Sequence, residues 1–350
     1  MSAPRSTLLL ACAATVLAAA TASCSSGGGG GRSAVGDATA AVAAASGNDL
    51  QTAYENTVKS VLPSVVQITT KQELGSGVVY DDKGDIVTNA HVIGNATTFQ
   101  VSLATGGSPL SAKLVSSFPA NDLAVIKLTS PPKDLKPATF GDSSKVAVGQ
   151  IVLAMGNPLG LSSSVTQGIV SATDRTVSES AAGGGTGATI PDMVQTSAAI
   201  NPGNSGGALV NLDNQVIGIP TLAATDPQLG SGSAPGIGFA IPASAVKRIA
   251  DQIIENGKVT NSGRAALDVT VRGVVQPAGV AIVSVTSGGA ADKAGLRAGD
   301  VITGIAGTPI TTVQSLTAVL AELKPGQKVK VTYVRDGSTK TTEVTLASLG

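Results

Sequence analysis

Short apolar segments separated by turn residues run from Ser64 to Ile241, and this pattern constrains the fold of that region more than any other feature. The clearest segments are 65–68, 77–80, 123–128, 151–154 and 206–210, and Gly, Pro, Asp and Asn are frequent between them. Regularly spaced short strands predict a β-barrel or a β-sandwich. Strands alternating with long helices would instead indicate an α/β fold, and no such helices are predicted here.

A helix closes this region. Val246, Ile249, Ala250 and Ile253 recur at helical spacing and form one apolar stripe. The dipeptide Asn256-Gly257 is a typical C-terminal stop. Residues 258–264 are then predicted to be a linker.

A smaller unit is predicted over residues 265–350. Its strand-like segments are 267–271, 280–285, 301–305, 328–334 and 343–346. One helix carries Val313, Leu316, Leu320 and Leu323 on a single face. Five strands and one or two helices in this length are typical of a small α+β domain.

The N-terminus has the pattern of an export signal. Arg5 precedes an apolar stretch of 15 residues, 8–22, which suits a signal peptide over residues 1–23 better than a membrane span. Two endings compete: 20–22 resembles a signal-peptidase site, and 21–24 resembles a bacterial lipobox in which Cys24 carries lipid. Cys24 would be the one cysteine left in the mature chain, which excludes an internal disulfide. The Gly- and Ala-rich residues 24–50 are predicted to be a flexible tether.

Charge composition excludes one class of partner. The chain has 23 basic and 23 acidic residues and no basic run, so nucleic acid is not expected to bind. No metal and no cofactor are expected either.

Three residues could form a catalytic group. His91, the only histidine of the chain, follows the strand-like segment 85–88, and Asp122 opens the segment 123–128. Ser205 lies in a glycine-rich turn before the segment 208–210. A serine hydroxyl needs a neighbouring base, and histidine suits that role near neutral pH. The order His, Asp, Ser is the order found in chymotrypsin-like double β-barrels.

The turn around Ser205 also suits oxyanion binding. We predict an oxyanion hole over Gly203, Asn204 and Ser205, with the N–H groups of Gly203 and Ser205 as donors. A second protease-like sequence, Gly141-Asp142-Ser143, is not followed by glycines and is predicted to be a surface turn.

Three motifs resemble the HtrA (DegP/DegS-like) serine proteases: 88–92, 121–127 and 195–209, and the segment 236–242 matches the family's strand beside the substrate pocket. The resemblance implies a mainly β, chymotrypsin-like double barrel over residues 51–257. It also implies an ATP-independent endopeptidase that acts on misfolded or exported proteins. The implied pocket residues are Ala199, Ile200, Ile237, Gly238 and Phe239. Because they carry no charge, cleavage after small aliphatic residues is expected.

Residues 290–302 look like the core signature of a PDZ domain. The resemblance implies binding of C-terminal peptides, with the carboxylate held by the loop Ala266, Leu267, Asp268 and Val269. Asp268 stands where the family usually has glycine, and its charge would repel a carboxylate. Arg175 matches the family's sensor arginine, followed by a glycine-rich loop that includes 183–185.

The family also implies a homotrimer formed through N-terminal aromatic residues, for which Tyr54 is the candidate. The expected location is outside the cytoplasm, as a lipid-anchored membrane protein or a secreted one. Two other functions remain open: a protease-like PDZ protein acting mainly as a chaperone or peptide sensor, and a solute-binding lipoprotein. The second would need longer helices alternating with strands, and the first would lack an intact catalytic group.

Overall fold

The computed structural model describes residues 35–70, 74–157, 164–179, 186–201, 203–226 and 232–350, and it describes side chains outside 35–47, 222–226 and 232–235. The predicted signal peptide, Cys24 and the glycines at 183–185 lie outside these ranges. Residues Leu50–Gly350 form one compact unit. Among the described helices, none is long and apolar enough to cross a membrane.

The helix α1 spans Val35–Val61 and so includes residues 35–50 of the predicted tether. Alanine has the highest helix propensity of all residues, and this segment is rich in it. At the end of α1, Val61 is buried and Val58 is partly buried against the core. Thr57 is also buried, and its hydroxyl donates to Leu212 O at 3.4 Å.

Six strands form a closed antiparallel barrel in the order β1-β2-β3-β6-β5-β4. They are β1 Val65–Thr69, β2 Leu74–Val79, β3 Asp85–Thr88, β4 Thr98–Leu103, β5 Leu110–Phe118 and β6 Leu123–Leu128, and the short helix α2 Ala90–Ile93 follows β3. Val66 and Ile68 lie in one apolar cluster, whereas Val65 lies in another. Successive side chains of a strand point to opposite faces. Each face of β1 therefore packs against one of the two clusters, which is why both faces carry apolar residues.

The second sheet has the order β11-β8-β9-β10-β13-β12-β7, and a further pairing of β11 with β12 closes it. Its strands are β7 Thr139–Phe140, β8 Ile151–Gly156, β9 Ser164–Ser178, β10 Thr189–Thr196, β11 Ala208–Asn211, β12 Gln215–Asp226 and β13 Gly232–Pro242. Buried residues of both sheets share one cluster, which includes Val87 and Val125 from the first and Met155 and Val210 from the second. The predicted mainly β, double-barrel fold is confirmed.

The helix α3, Ala243–Asn256, confirms the predicted apolar stripe. Val246, Ile249 and Ile253 are fully buried in the cluster between the sheets. Gly257 ends the helix with φ 70°, and its N–H donates to Ile253 O at 2.9 Å. Glycine adopts this left-handed conformation without a steric penalty, so the helix stops where the sequence predicts.

The C-terminal unit consists of a six-stranded sheet, in which the short strand β18 pairs with β17, a two-stranded sheet and two helices. The elements are β14 Ala265–Ala266, β15 Val269–Val275, β16 Ala278–Val285, α4 Ala290–Lys293, β17 Val301–Ile305, β18 Thr308–Pro309, α5 Val313–Glu322, β19 Lys328–Arg335, β20 Ser338–Thr345 and β21 Ala347–Ser348. Their apolar residues form a separate core that includes Val280, Ile302, Leu316 and Val331.

Two of the strand predictions in this unit need correction. The segment 267–271 is interrupted because Asp268 has φ 58°, which is incompatible with strand geometry. The last strand-like segment, 343–346, is the end of β20, which begins at Ser338 and pairs along its whole length with β19. Exposed polar residues in the first half of β20 concealed it from an apolar pattern.

Candidate active site

The pairing of β3 with β6 brings His91 and Asp122 together. The register places Thr88 opposite Ala124, so the end of β3 lies beside the start of β6. His91 Nδ1 lies 2.8 Å from Asp122 Oδ2, and the His91 backbone N–H donates to Asp122 Oδ1 at 2.9 Å. Asn89 Nδ2 donates to the Asp122 carbonyl at 3.0 Å. Asp122 is completely buried and has φ 49°, a conformation that aspartate tolerates better than most residues.

Ser205 is held against the same strand end by a turn that only glycine permits. Gly206 has φ 78°, and a Cβ there would lie 2.3 Å from Ser76 O and 2.5 Å from Thr88 Oγ1. The Ser76 N–H donates to Ser205 O at 3.0 Å, and Thr88 Oγ1 donates to Ser76 O at 2.7 Å. The structure therefore places Ser205 at the junction of the two barrels, beside the segment that leads to His91.

The predicted oxyanion turn is well ordered by hydrogen bonds. Gly203 has φ 111°, and its carbonyl accepts from Ser76 Oγ at 2.5 Å. Asn204 donates its backbone N–H to Asn201 O at 3.1 Å and its side-chain Nδ2 to Ala199 O at 3.0 Å. The Asn204 N–H is thus already used within the turn. Gly203 and Ser205 remain the candidate donors.

Thr221, on β12, contacts both Asp122 and Ser205. Its Oγ1 donates to Asp122 Oδ2 in a very short contact, and its carbonyl accepts from Ser205 Oγ at 3.4 Å. A buried carboxylate, Glu179, lies on the other side of Thr221, with Oε1 3.3 Å from Thr221 Oγ1. Burial raises the pKa of Glu179 above its ordinary value, and the nearby charge of Asp122 raises it further, while hydrogen bonds from Thr186 oppose both effects.

The five predicted pocket residues do not all face the same space. Ile200 is buried, and a Cβ at Gly238 would lie 2.3 Å from its Cγ1, so these two are in contact. Ala199 and Ile237 are exposed. Phe239 is half-buried and packs on the cluster between the barrels. Neighbouring side chains on β13 point to opposite faces, so Ile237 and Phe239 lie on the face opposite Gly238, and their place in the pocket stays a prediction.

The loop predicted to bind a peptide carboxylate lines a groove of about 370 Å³. The groove is lined by 264–271, Thr286, Leu316, Thr317, Leu320, Leu349 and Gly350. Asp268 accepts from the Ala290 N–H with Oδ2 at 3.0 Å, and its carbonyl accepts from the Thr286 N–H at 2.9 Å. One oxygen of the Asp268 carboxylate is thus bound at the start of α4, and the left-handed backbone explains why glycine also suits this position.

Arg175 lies exposed on β9, opposite Met193 of β10. The first residue of β10 reaches the C-terminal unit, where Thr189 Oγ1 lies 3.4 Å from Thr317 Oγ1 of α5. The glycines at 183–185, predicted to follow the sensor arginine, lie outside the described residues.

Arg264, directly before the C-terminal unit, contacts the first barrel. Its Nη1 donates to Ala120 O in a very short contact and to Asn121 Oδ1 at 3.3 Å. Burial lowers the pKa of Arg264 to about 10. The contacted residues directly precede Asp122, so Arg264 joins the groove to the turn that carries the candidate aspartate.

Sequence reasoning missed Thr221, Glu179 and Arg264. A threonine within the apolar segment of β12 was a weak signal for Thr221, whereas nothing local distinguishes Glu179 or Arg264 from surface residues. Among the described residues, no group of three or more His, Cys, Asp or Glu side chains could hold a metal ion.

Two closed β-sheets with His, Asp and Ser gathered at their junction define a trypsin-like serine peptidase. The model for a trypsin-like peptidase domain matches residues 75–219, and the model for a PDZ domain matches residues 256–346. The sequence is 40% identical over 296 residues to the serine protease Do-like HtrA of Lactococcus lactis, covering 78% of this chain and 70% of that protein. It is 38% identical over 329 residues to the serine protease PepD of Mycobacterium tuberculosis, covering 88% of this chain and 69% of that protein.

Solved structures agree. The HtrA-type protease AlgW with a decapeptide has a TM-score of 0.59 and 31% identity, over 85% of this chain and 99% of AlgW. The serine endoprotease from Yersinia pestis has a TM-score of 0.57 and 32% identity, over 85% of this chain and 98% of that chain. This chain belongs to the HtrA family of serine proteases, which confirms the resemblance seen in its motifs.

Proposed function

We propose that His91, Asp122 and Ser205 are the catalytic triad of this serine endopeptidase. The observation that carries the proposal is the double contact of His91 with a fully buried Asp122, one through the ring at 2.8 Å and one through the backbone at 2.9 Å. Two contacts fix both the position and the tautomer of the imidazole, with the proton on Nδ1 and the lone pair on Nε2.

In this mechanism Nε2 of His91 takes the Ser205 proton as Oγ attacks the scissile carbonyl. The N–H groups of Gly203 and Ser205 stabilise the oxyanion, and His91 then protonates the leaving amine. A water molecule then attacks the acyl-enzyme by the same steps and releases the acyl group. Asp122 stays ionised and stabilises the imidazolium.

The substrate side chain before the cleaved bond is proposed to be small and aliphatic. Ile200 lies against the backbone of Gly238, which supports a shallow apolar pocket with no charge to pair with lysine or arginine. Peptide substrates with Ala, Val, Leu or Lys at this position test the proposal. Preference for Lys would refute it.

The C-terminal unit is proposed to bind C-terminal peptides and to regulate proteolysis. The groove beside β15 and α5 supports strand addition, in which the peptide pairs with a strand edge and its carboxylate meets backbone N–H groups of 266–269. The AlgW structure contains a decapeptide, which fits this role. Arg175 is proposed to sense occupancy, so Arg175→Ala should lower peptide-stimulated activity and spare basal activity. Equal loss of both would exclude the role.

The location and assembly are also proposals. Relatives from Brucella and Escherichia coli are named periplasmic endoproteases, which supports export of this chain to act on misfolded or exported proteins. We propose a lipid anchor at Cys24 and a homotrimer formed through Tyr54, which is half-buried on α1. The mass of the mature N-terminal peptide tests the lipid, and light scattering of wild type and Tyr54→Ala tests the trimer.

Digestion of unfolded casein by wild type and Ser205→Ala tests the activity itself. Cleavage by wild type alone supports the triad. If wild type only suppresses casein aggregation and leaves the chain intact, the protein acts as a chaperone instead. If Ser205→Ala cleaves as well as wild type, the nucleophile is assigned wrongly.

A further inference from the structure

Glu179 is a buried carboxylate that the proposed mechanism does not use. It directly follows β9 and is 7% exposed. Its Oε2 accepts from the Thr186 N–H at 2.8 Å and from Thr186 Oγ1 at 2.5 Å. Among the residues that the structure describes, no lysine or arginine forms an ion pair with it. A buried carboxyl group without a neighbouring cation is costly to ionise, so its presence at this site needs an explanation.

The hydroxyl of Thr221 lies between two carboxylates. Its Oγ1 contacts Asp122 Oδ2 closely and lies 3.3 Å from Glu179 Oε1. A hydroxyl has one proton to donate and can accept with its lone pairs. Because the Asp122 contact is the closer one, the Thr221 proton belongs to Asp122. The Thr221 oxygen can then accept a proton that Glu179 donates.

The protonation of Glu179 agrees with that arrangement. Burial and the charge of Asp122 both raise the pKa of Glu179, which favours the acid form that can donate. Asp122, before β6, and His91, on α2, are the ionisable groups whose charges act on it. Thr221 also contacts Ser205 Oγ through its carbonyl, so a displaced Thr221 would disturb two members of the triad.

We propose that Glu179 is a positioning residue: it holds Thr221 so that Thr221 holds Asp122 against His91. The proposal rests on the catalytic roles assigned above to His91, Asp122 and Ser205. Glu179 touches no reacting atom and acts through Thr221 alone.

A double-mutant cycle tests this coupling on the full chain with an aliphatic peptide substrate. Glu179→Met and Thr221→Val should each lower kcat by about tenfold with little change in KM, since the substrate contacts are intact. In the Thr221→Val background, Glu179→Met should lower kcat by less than about twofold, because residues acting through one contact are not additive. Independent, multiplicative losses would overturn the proposal.

Glu179→Gln is the conservative variant. Its amide oxygen can accept from Thr186 and its NH₂ can donate to Thr221, so kcat at the optimal pH should stay within about threefold of wild type. Because Glu179 donates to Thr221 as the uncharged acid, the amide removes no charge, and the acidic limb of the kcat profile should stay at the wild-type pH. A move of that limb to lower pH would show that Glu179 is ionised and would overturn the proposal. A loss as large as in Glu179→Met would refute donation to Thr221.

Asp85→Asn is the matched control at another buried carboxylate. Asp85 is 1% exposed and accepts from Lys127 at 2.6 Å, at the far end of β3 from His91. This variant should leave kcat within about twofold of wild type, and a loss as large as in Glu179→Met would show a nonspecific effect of replacing a buried carboxyl group and overturn the proposal. Far-UV circular dichroism establishes that each variant is folded. Residual activity in Ser205→Ala would instead overturn the triad assignment, so the two failures are distinguishable.

Discussion

Replacing Asp122 by asparagine should nearly abolish proteolysis while leaving the fold intact. The carboxylate accepts from three donors: the His91 backbone N–H at 2.9 Å, His91 Nδ1 at 2.8 Å and the Thr221 hydroxyl. Asparagine offers one acceptor oxygen. If that oxygen takes the place of Oδ1, the NH₂ group faces His91 Nδ1 and donates to it. The imidazole then carries its proton on Nε2 and cannot accept one from Ser205.

The magnitude follows from this change of tautomer. The corresponding replacement in a serine protease lowers kcat by roughly 10⁴-fold, which corresponds to about 5.4 kcal/mol at about 1.36 kcal/mol per factor of ten. The same size is expected here, because His91 is the only histidine and no other imidazole can replace it. Asn89 still binds the backbone carbonyl of residue 122, so the turn should keep its shape.

The assay is kcat/KM for an aliphatic peptide at pH 7, with thermal unfolding measured on the same samples. Asp142→Asn is the matched control, because Asp142 belongs to the protease-like sequence 141–143 yet is exposed and bonded only locally, to Ser144 and Lys145. Wild-type activity in that control and a loss above about 10³-fold in Asp122→Asn support the triad. A folded Asp122→Asn protein within tenfold of wild type would refute the reasoning.

Three further outcomes are expected. Gly206→Ala should lower kcat/KM by more than about 100-fold, since a Cβ would collide with Ser76 O. Gly149 has φ 90° but no atom near its Cβ position, so Gly149→Ala should lower the free energy of unfolding by only about 1 kcal/mol. Thermal unfolding measures this loss. Gly238→Ala should lower kcat/KM for leucine substrates more than for alanine substrates, and equal losses would exclude it from the pocket. Burial opposes ionisation of Asp300, but hydrogen bonds from Arg335 hold the pKa of Asp300 below its ordinary value. This stabilisation is present above about pH 4 and lost as the pH falls through the lowered pKa. Arg335→Met should therefore lower the unfolding temperature at pH 7 and lose most of that difference at pH 2.

Local patterns were enough to predict many of the elements. Apolar spacing identified β6 and β17 with their observed bounds and the buried stripe of α3. The motifs around His91, Asp122 and Ser205 were readable because strand ends and glycine turns have strong local signals. Prediction failed where polar and apolar signals conflicted, as at Asp268, whose left-handed backbone interrupts an apolar segment.

By itself, the sequence determined which residues could perform the chemistry: one imidazole, one aspartate at a strand start and one serine in a glycine-rich turn. Only the tertiary structure decided which partners hold them. The contacting residues are far apart in the sequence: Thr221 and Asp122 are separated by 99 positions, Glu179 and Thr221 by 42, and Arg264 and Ala120 by 144. Such contacts depend on strand pairing and register, which place one face of each strand toward a given neighbour. The same rule places Phe239 against the cluster between the barrels and Gly238 against Ile200, on opposite faces of β13.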